Sequence, residues 1–404
     1  MRNVVCIAPF PLETTLRFAR ALRTLRDVRL LGVWQEPPRG PDGQMFDDLV
    51  RVRDALDVGS LCDGVGELAR RHGAPFRILG ILEPLQVPLA EVRRRFDVPG
   101  PDVATAERFR DKAVMKDVLR AHGLPCARHK LLRGAADAEA FVAEVGFPLV
   151  LKPPAGMASK GTWRIRDAAA LGDALRAARP SPERPYLAEE FLRGREFSFE
   201  TVTIDGDVKF HSISHYYPGP LEVVENDWIQ WVCLLPRDVS GAEYDEARRL
   251  GVAAVKTLGL ETGVTHMEWF QRPDQSLAVG EIAARPPGAN IVRMMGIAHD
   301  ADLYRAWARA VVDGAFDGPW ERRWAVGCAF LRGQGRGRVA GLSGVDRMQR
   351  EIGHLVVEAK LPTVGAPKSD SYEGDGYAIV RHPDTEVVKR ALTLIIENIR
   401  VHYA

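Results

Sequence analysis

The chain has 404 residues, 46% of them hydrophobic and 27% charged, with 55 basic against 54 acidic side chains. That length supports two or three domains with sizeable cores, and a net charge of +1 provides no field for a nucleic acid or an anionic membrane. The five cysteines (Cys6, Cys62, Cys126, Cys233 and Cys328) are dispersed and odd in number. They argue against a disulfide framework or a zinc knuckle and suit a reducing cytoplasm. No apolar run reaches the roughly 18–20 residues of a membrane span, and the N-terminus lacks the features of a signal peptide.

In chain order, residues 1–100 alternate apolar strand-like runs (3–9, 28–34, 76–82) with helical patterns (12–26, 86–96). Such alternation predicts a Rossmann-like parallel α/β sheet covered on both faces. Alanine and prolines stand where a dinucleotide site needs G-x-G-x-x-G, so such a site is not expected. The Pro/Gly-dense DVPGPD at 97–102 marks a junction, and one helix is expected from 104 to 122. Another helix at 137–145 leads into a strand ending in Lys152, with a hairpin partner at 161–166 and a helix at 167–179. Residues 186–217 read as successive antiparallel strands with a turn at Asp205-Gly206. Helix 243–258 precedes two strands, 263–270 and 277–284, and the tail from 326 is expected as a small separate α+β unit. The expected division is 1–100, 101–185, 186–325 and 326–404.

The stretch PLVLKPPAGMASKGT (148–162) carries the first chemical signal. Its lysine ends a strand and precedes the flexible loop, the reverse of a P-loop, in which the lysine follows the glycines and opens a helix. Asp111-Lys112 and the run EEFLRGRE (189–196) supply further charge, and Glu268 and Glu281 lie on strands joined by a short turn. Antiparallel pairing brings two such carboxylates to one face. There they suit magnesium, which takes one or two carboxylates plus substrate phosphates. The spacing of His266 and Glu268 is no zinc signature by itself.

Taken together, these motifs resemble the ATP-grasp superfamily and, within it, the carboxylate–amine ligases that include amino-acid ligases. The resemblance covers roughly residues 105–300. It implies an ATP-grasp fold, α/β and α+β, behind the Rossmann-like domain, and an ADP-forming C–N ligase that passes through an acyl phosphate. It also implies ATP and Mg2+ (or Mn2+) as cofactors. Lys112 and Lys152 match the family's phosphate-binding lysines, and residues 156–162 match its lid, with Ser159 and Lys160 as lid contacts or, for Lys160, a solvated loop lysine. Glu189, Glu190, Phe191 and Leu192 match the adenine hinge and Glu196 the ribose acid. Glu268 and Glu281 match the metal ligands, although Ala283 stands where many members place a ligating asparagine. Arg285, in the R-P-x-G turn, matches the arginine that meets the carboxylate or the transferred phosphoryl group, so Arg285 and Lys152 are the expected catalytic residues.

The aromatic stretch 215–231 is either a substrate wall or packing under a loop. His215, Tyr216, Trp231, His266, Asn290 and Arg293 are the substrate-site candidates. The expected partners are a small-molecule carboxylate and amine, amino acids among them, with no nucleic acid and no membrane; a homodimer is compatible. Two other readings stay open: an enzyme like biotin carboxylase or those of purine biosynthesis, activating bicarbonate or formate, and a nucleotide-binding module without catalysis.

Overall fold

The computed structural model describes residues 1–156, 161–226 and 229–404. Its first sheet is built from β1 (Arg2–Ala8), β2 (Val28–Trp34), β3 (Asp48–Arg51) and β4 (Arg77–Leu79), all parallel in the order β3-β2-β1-β4. The apolar runs of β1 and β2 are buried almost throughout, as a sheet covered on both faces requires.

The second sheet contains β5 (His129–Leu132), β6 (Leu149–Lys152), β7 (Trp163–Ile165) and β8 (Tyr186–Glu190), in the order β5-β8-β6-β7. The third is built from β9 (Arg195–Ile204), β10 (Asp207–Tyr217), β11 (Trp231–Leu235), β12 (Gly263–Gln271), β13 (Leu277–Ala283) and β14 (Ala325–Leu331). Further on come β15 (Val339–Ser343), β16 (Val356–Lys360), β17 (Gly376–His382) and β18 (Arg400–Tyr403). The third sheet has eight strands in the order β13-β12-β9-β10-β11-β14-β17-β16, while β15 and β18 pair separately.

Three expectations change. Two of the expected boundaries fall inside sheets: β8, just past 185, hydrogen-bonds to β5 and β6, and β14, β16 and β17, past 325, extend the sheet that carries Glu268 and Glu281. These pairings join strands far apart in sequence, which local periodicity does not report. The helix expected over 104–122 is two helices, Val103–Arg110 and Lys112–Ala121. Asp111 breaks it with an extended backbone (φ −91°, ψ 113°), and its carboxylate caps the second helix by accepting from the N–H groups of Ala113 and Val114. That cap sets Lys112 on the first turn.

Only residues 191–194 link β8 to β9, the step from the second sheet to the third. Gly194 has φ +138°, and a Cβ there would fall 2.0 Å from the Gln271 carbonyl oxygen, so only glycine fits.

Candidate active site

A cleft of about 1170 Å³ is lined by strands of the second and third sheets and, from the N-terminal unit, by Glu13, Arg17 and Glu83, which lie outside the strands of the first sheet. On β9 the sequence alternates glutamate and serine with phenylalanine. Phe197 and Phe199 enter a core with Met267 and Trp269, which turns Glu196, Ser198 and Glu200 to the opposite face. The same period on β12 puts His266 and Glu268 on that face, and β13 sets Glu281 opposite Glu268 and Ala283 opposite His266. Glu196, His266, Glu268 and Glu281 all line the cleft.

The lysines reach this face from two other elements. Lys112 donates its backbone N–H to Pro154 (3.0 Å), which docks the helix on the loop after β6. Its Nζ lies 3.0 Å from Glu281 and 3.1 Å from the Gly156 carbonyl. Lys152, at the end of β6, lies 2.9 Å from Glu189 and 3.9 Å from Glu281. Burial alone would raise the Glu281 carboxyl, but Lys112 and Lys152 outweigh it and bring it down to about 2. Burial likewise works against the charge on Lys152, and Glu189 and Glu281 outweigh it, raising the amine.

A third lysine was not singled out in the sequence. Lys116, one turn after Lys112, is fully buried, 2.8 Å from Glu189 and donating at 2.6 Å to the Gly280 carbonyl. The i,i+4 spacing from Lys112 puts both on one helix face and was the available signal.

Arg285 is held through Glu83, also missed, which comes from the N-terminal unit just past β4. Glu83 accepts from Arg285 and Arg110, each at 3.1 Å, and lies 3.8 Å from Lys112. Its place after the carboxyl end of a parallel strand, where α/β sheets open their crevices, was the clue.

His266 sits between two acids, its Nδ1 2.9 Å from Glu200 and its Nε2 3.8 Å from Glu268. Burial pulls its pKa down, but the hydrogen bond to Glu200 and the nearby Glu268 carboxylate prevail and lift it to about 9. Glu196 moves the other way: burial, then the charge of Glu268, pushes its carboxyl well above the usual range, against Lys152.

The structure separates the remaining candidates. Glu189, expected at the hinge, turns its carboxylate to Lys116 and Lys152. Glu190 turns to Arg128 (2.8 Å) and Arg272 (3.4 Å), and the Phe191 ring lies under Arg164 at 4.5 Å. Leu192 lines the cleft. Tyr216 and Trp231 line it while packed in the core, with Trp231 stacked on Phe330 at 4.5 Å. The stretch thus packs in the core and also forms part of the cleft wall. His215 is tied to the hydroxyls of Tyr217 and Tyr244, both at 3.1 Å. Asn290 lines the cleft in a left-handed conformation at the start of helix Ile291–His299. Arg293 is not among the cleft-lining residues and pairs with Glu358 at 2.6 Å. Ser159 and Lys160 lie outside the described residues.

Among the described residues no three His, Cys, Asp or Glu groups converge on one point. The facing pair Glu268 and Glu281, beside lysines and open cleft, instead fits an ion that completes its shell with phosphate oxygens and water.

A family model described as the ATP-grasp domain matches residues 117–296. The chain is 30% identical over 258 residues to the uncharacterized protein y4rH of Sinorhizobium fredii, an alignment covering 61% of this chain and 52% of that protein. It is 27% identical over 209 residues to the L-arginine-specific L-amino acid ligase of Bacillus subtilis, covering half of each. The chain thus spans about half the length of these curated relatives. Over 100% of this chain and 99% of the other, the fold superposes on the crystal structure of an L-amino acid ligase from Bacillus licheniformis with a TM-score of 0.81 at 18% identity. Residues 117–296 therefore form an ATP-grasp domain.

Proposed function

We propose that the protein is an ADP-forming ligase that joins a small carboxylate to an amine through an acyl phosphate. One observation carries this reading: two lysines and two register-matched carboxylates converge in one cleft from separate elements, with Arg285 beside them. Lys112 and Lys152 would hold the phosphates of ATP, with the backbone of 189–192 on adenine and Glu196 on the ribose. Glu268 and Glu281 would hold magnesium, which offsets the charge of the triphosphate.

Lys112 and Lys152 are held on Glu281 at 3.0 and 3.9 Å. Phosphate oxygens can replace that carboxylate as their partner, freeing Glu281 for a cation without leaving any buried charge alone. Arg285, fixed by Glu83, can fork onto the acceptor carboxylate. A carboxylate oxygen then attacks the γ-phosphorus as ADP leaves, and the amine displaces phosphate from the acyl carbon. The relative named as an L-amino acid ligase supports amino acids as substrates. All five thiols are buried and free, which supports a reducing compartment such as the cytoplasm. No helix among the described residues is long and apolar enough to cross a membrane.

The test is ADP release across a matrix of acids and amines. ADP that forms only when both partners are present is expected. Turnover driven by bicarbonate alone would replace ligation with the bicarbonate-activating reading.

A further inference from the structure

The loop between β16 and β17 brings a carboxylate into the cleft that the lysine, metal and arginine assignments leave unused. Glu373 and Tyr372 both line the cleft, as Lys112 and Lys152 do. The loop is fixed from within: Ser369 N–H donates to Asp375 (2.8 Å), Glu373 N–H to the Ser371 hydroxyl (3.1 Å) and Asp375 N–H to the Leu331 carbonyl (3.1 Å). Gly374 turns it with φ +73°, where a Cβ would lie 2.6 Å from the Leu331 carbonyl oxygen. Glu373 is thereby pressed onto the R-P-P-G-A turn, one oxygen accepting from the Ala289 N–H at 3.2 Å. Among the described residues, that is the only hydrogen bond to its carboxylate, and no cation pairs with it.

Tyr372 leans on Trp231 with ring centroids 5.0 Å apart. Burial, then the charges of Glu373 and Glu268, push its hydroxyl up, while Arg285 opposes them. Tyr372 thus shares the cleft wall with Glu373, Glu268 and Arg285. A carboxylate next to an aromatic face is a receptor for an ammonium group.

We propose that Glu373 and Tyr372 bind the second substrate as a protonated primary amine, and that Glu373 takes the proton that makes it a nucleophile. This rests on the ligation reading. The ammonium gives one proton to the Glu373 carboxylate. The neutral nitrogen attacks the acyl carbon and forms the C–N bond. The bond from that carbon to the phosphate oxygen breaks, phosphate leaves with the electron pair, and it carries off the second nitrogen proton. Burial favours this role, because it raises the Glu373 carboxyl above its ordinary value, with only the Ala289 N–H drawing it back.

Hydroxylamine separates the steps, since it is neutral at pH 7 and needs no base. Wild-type enzyme is expected to form hydroxamate with acid and ATP, and amide when a primary amine is supplied. In Glu373→Gln, amide formation at pH 7 should fall about 100-fold or more while hydroxamate formation falls only a few-fold, a split matched to the size of general-base catalysis. The amide rate of the variant should also climb about tenfold per pH unit, as solvent supplies neutral amine. Equal loss of both products, or loss of neither, overturns the role of Glu373. Absence of hydroxamate from the wild type with every acid overturns the ligation reading, and this inference with it.

Discussion

On the lysine side of the cleft, Lys112, Lys116 and Lys152 are matched by Glu281 and Glu189 at 2.8–3.0 Å. On the aromatic side, the Glu373 carboxylate rests on a single backbone N–H. The first region stores charge in pairs that persist without substrate, so a ligand can enter by exchanging partners. The second presents an acid that no cation among the described residues pairs, and that a cation or a proton can satisfy. Desolvation is costly in both, and only the first offsets it internally.

The largest effect should come from breaking the pair that has no ligand to meet. Lys116→Met leaves Glu189 with half its compensation in a fully buried site, and stability should fall by about 3–5 kcal/mol, read by chemical denaturation. Arg285→Ala tests the centre, between the two regions. Ligation should slow about 10²–10³-fold with ATP affinity nearly unchanged, because the guanidinium acts where charge develops. Lost ATP binding in a folded variant would make Arg285 a nucleotide residue.

Lys152→Met should spare the fold and weaken ATP binding by about 1.5–3 kcal/mol, the worth of a charge-assisted contact, measured by titration calorimetry. If it instead destabilises as much as Lys116→Met, the distinction between structural and exchangeable lysines is wrong.

The smallest effect is one of pH. Burial, then nearby Arg195, Lys389 and Arg322, lowers His215 to about 3 from an ordinary 6.5. Its neutral form therefore adds stability that is complete above pH 6.5 and is lost as the pH falls toward 3. His299, lowered to about 4, works in the same window. His215→Phe should flatten the acid branch of the stability curve without abolishing it, as followed by thermal melts from pH 7 to 4.

Local patterns made much of this legible. The strand ending at Lys152 and the facing Glu268 and Glu281 are short-range features, set by period-2 alternation and one tight turn. Lys116 was hidden because a lysine on a helix is ordinarily exposed, and nothing local says that Gly280 and Glu189 will close over it. Glu83 and Glu373 reach the cleft from opposite ends of the chain, through pairings that only the folded sheets create. Asp111 shows the limit at single-residue scale. The periodic pattern runs through it, yet a side-chain cap outcompetes one continuous helix and so aims Lys112.

The continuity of the eight-stranded sheet has a mechanical side. Glu268 and Glu281 hang from two of its strands, and the segment carrying Glu373 runs straight into a third, β17. A hydrogen-bonded ladder resists in-plane stretching, so these acids travel as one chassis with fixed spacing. Lys152 and Glu189 ride on the four-stranded sheet, tethered through 191–194, where Gly194 nests on the Gln271 carbonyl. A small rotation about that tether would carry Lys152 and Glu189 together relative to Glu268 and Glu281, whose own spacing would stay unchanged. Lengthening that tether should therefore change how the two sheets move relative to one another before it changes the spacing of Glu268 and Glu281.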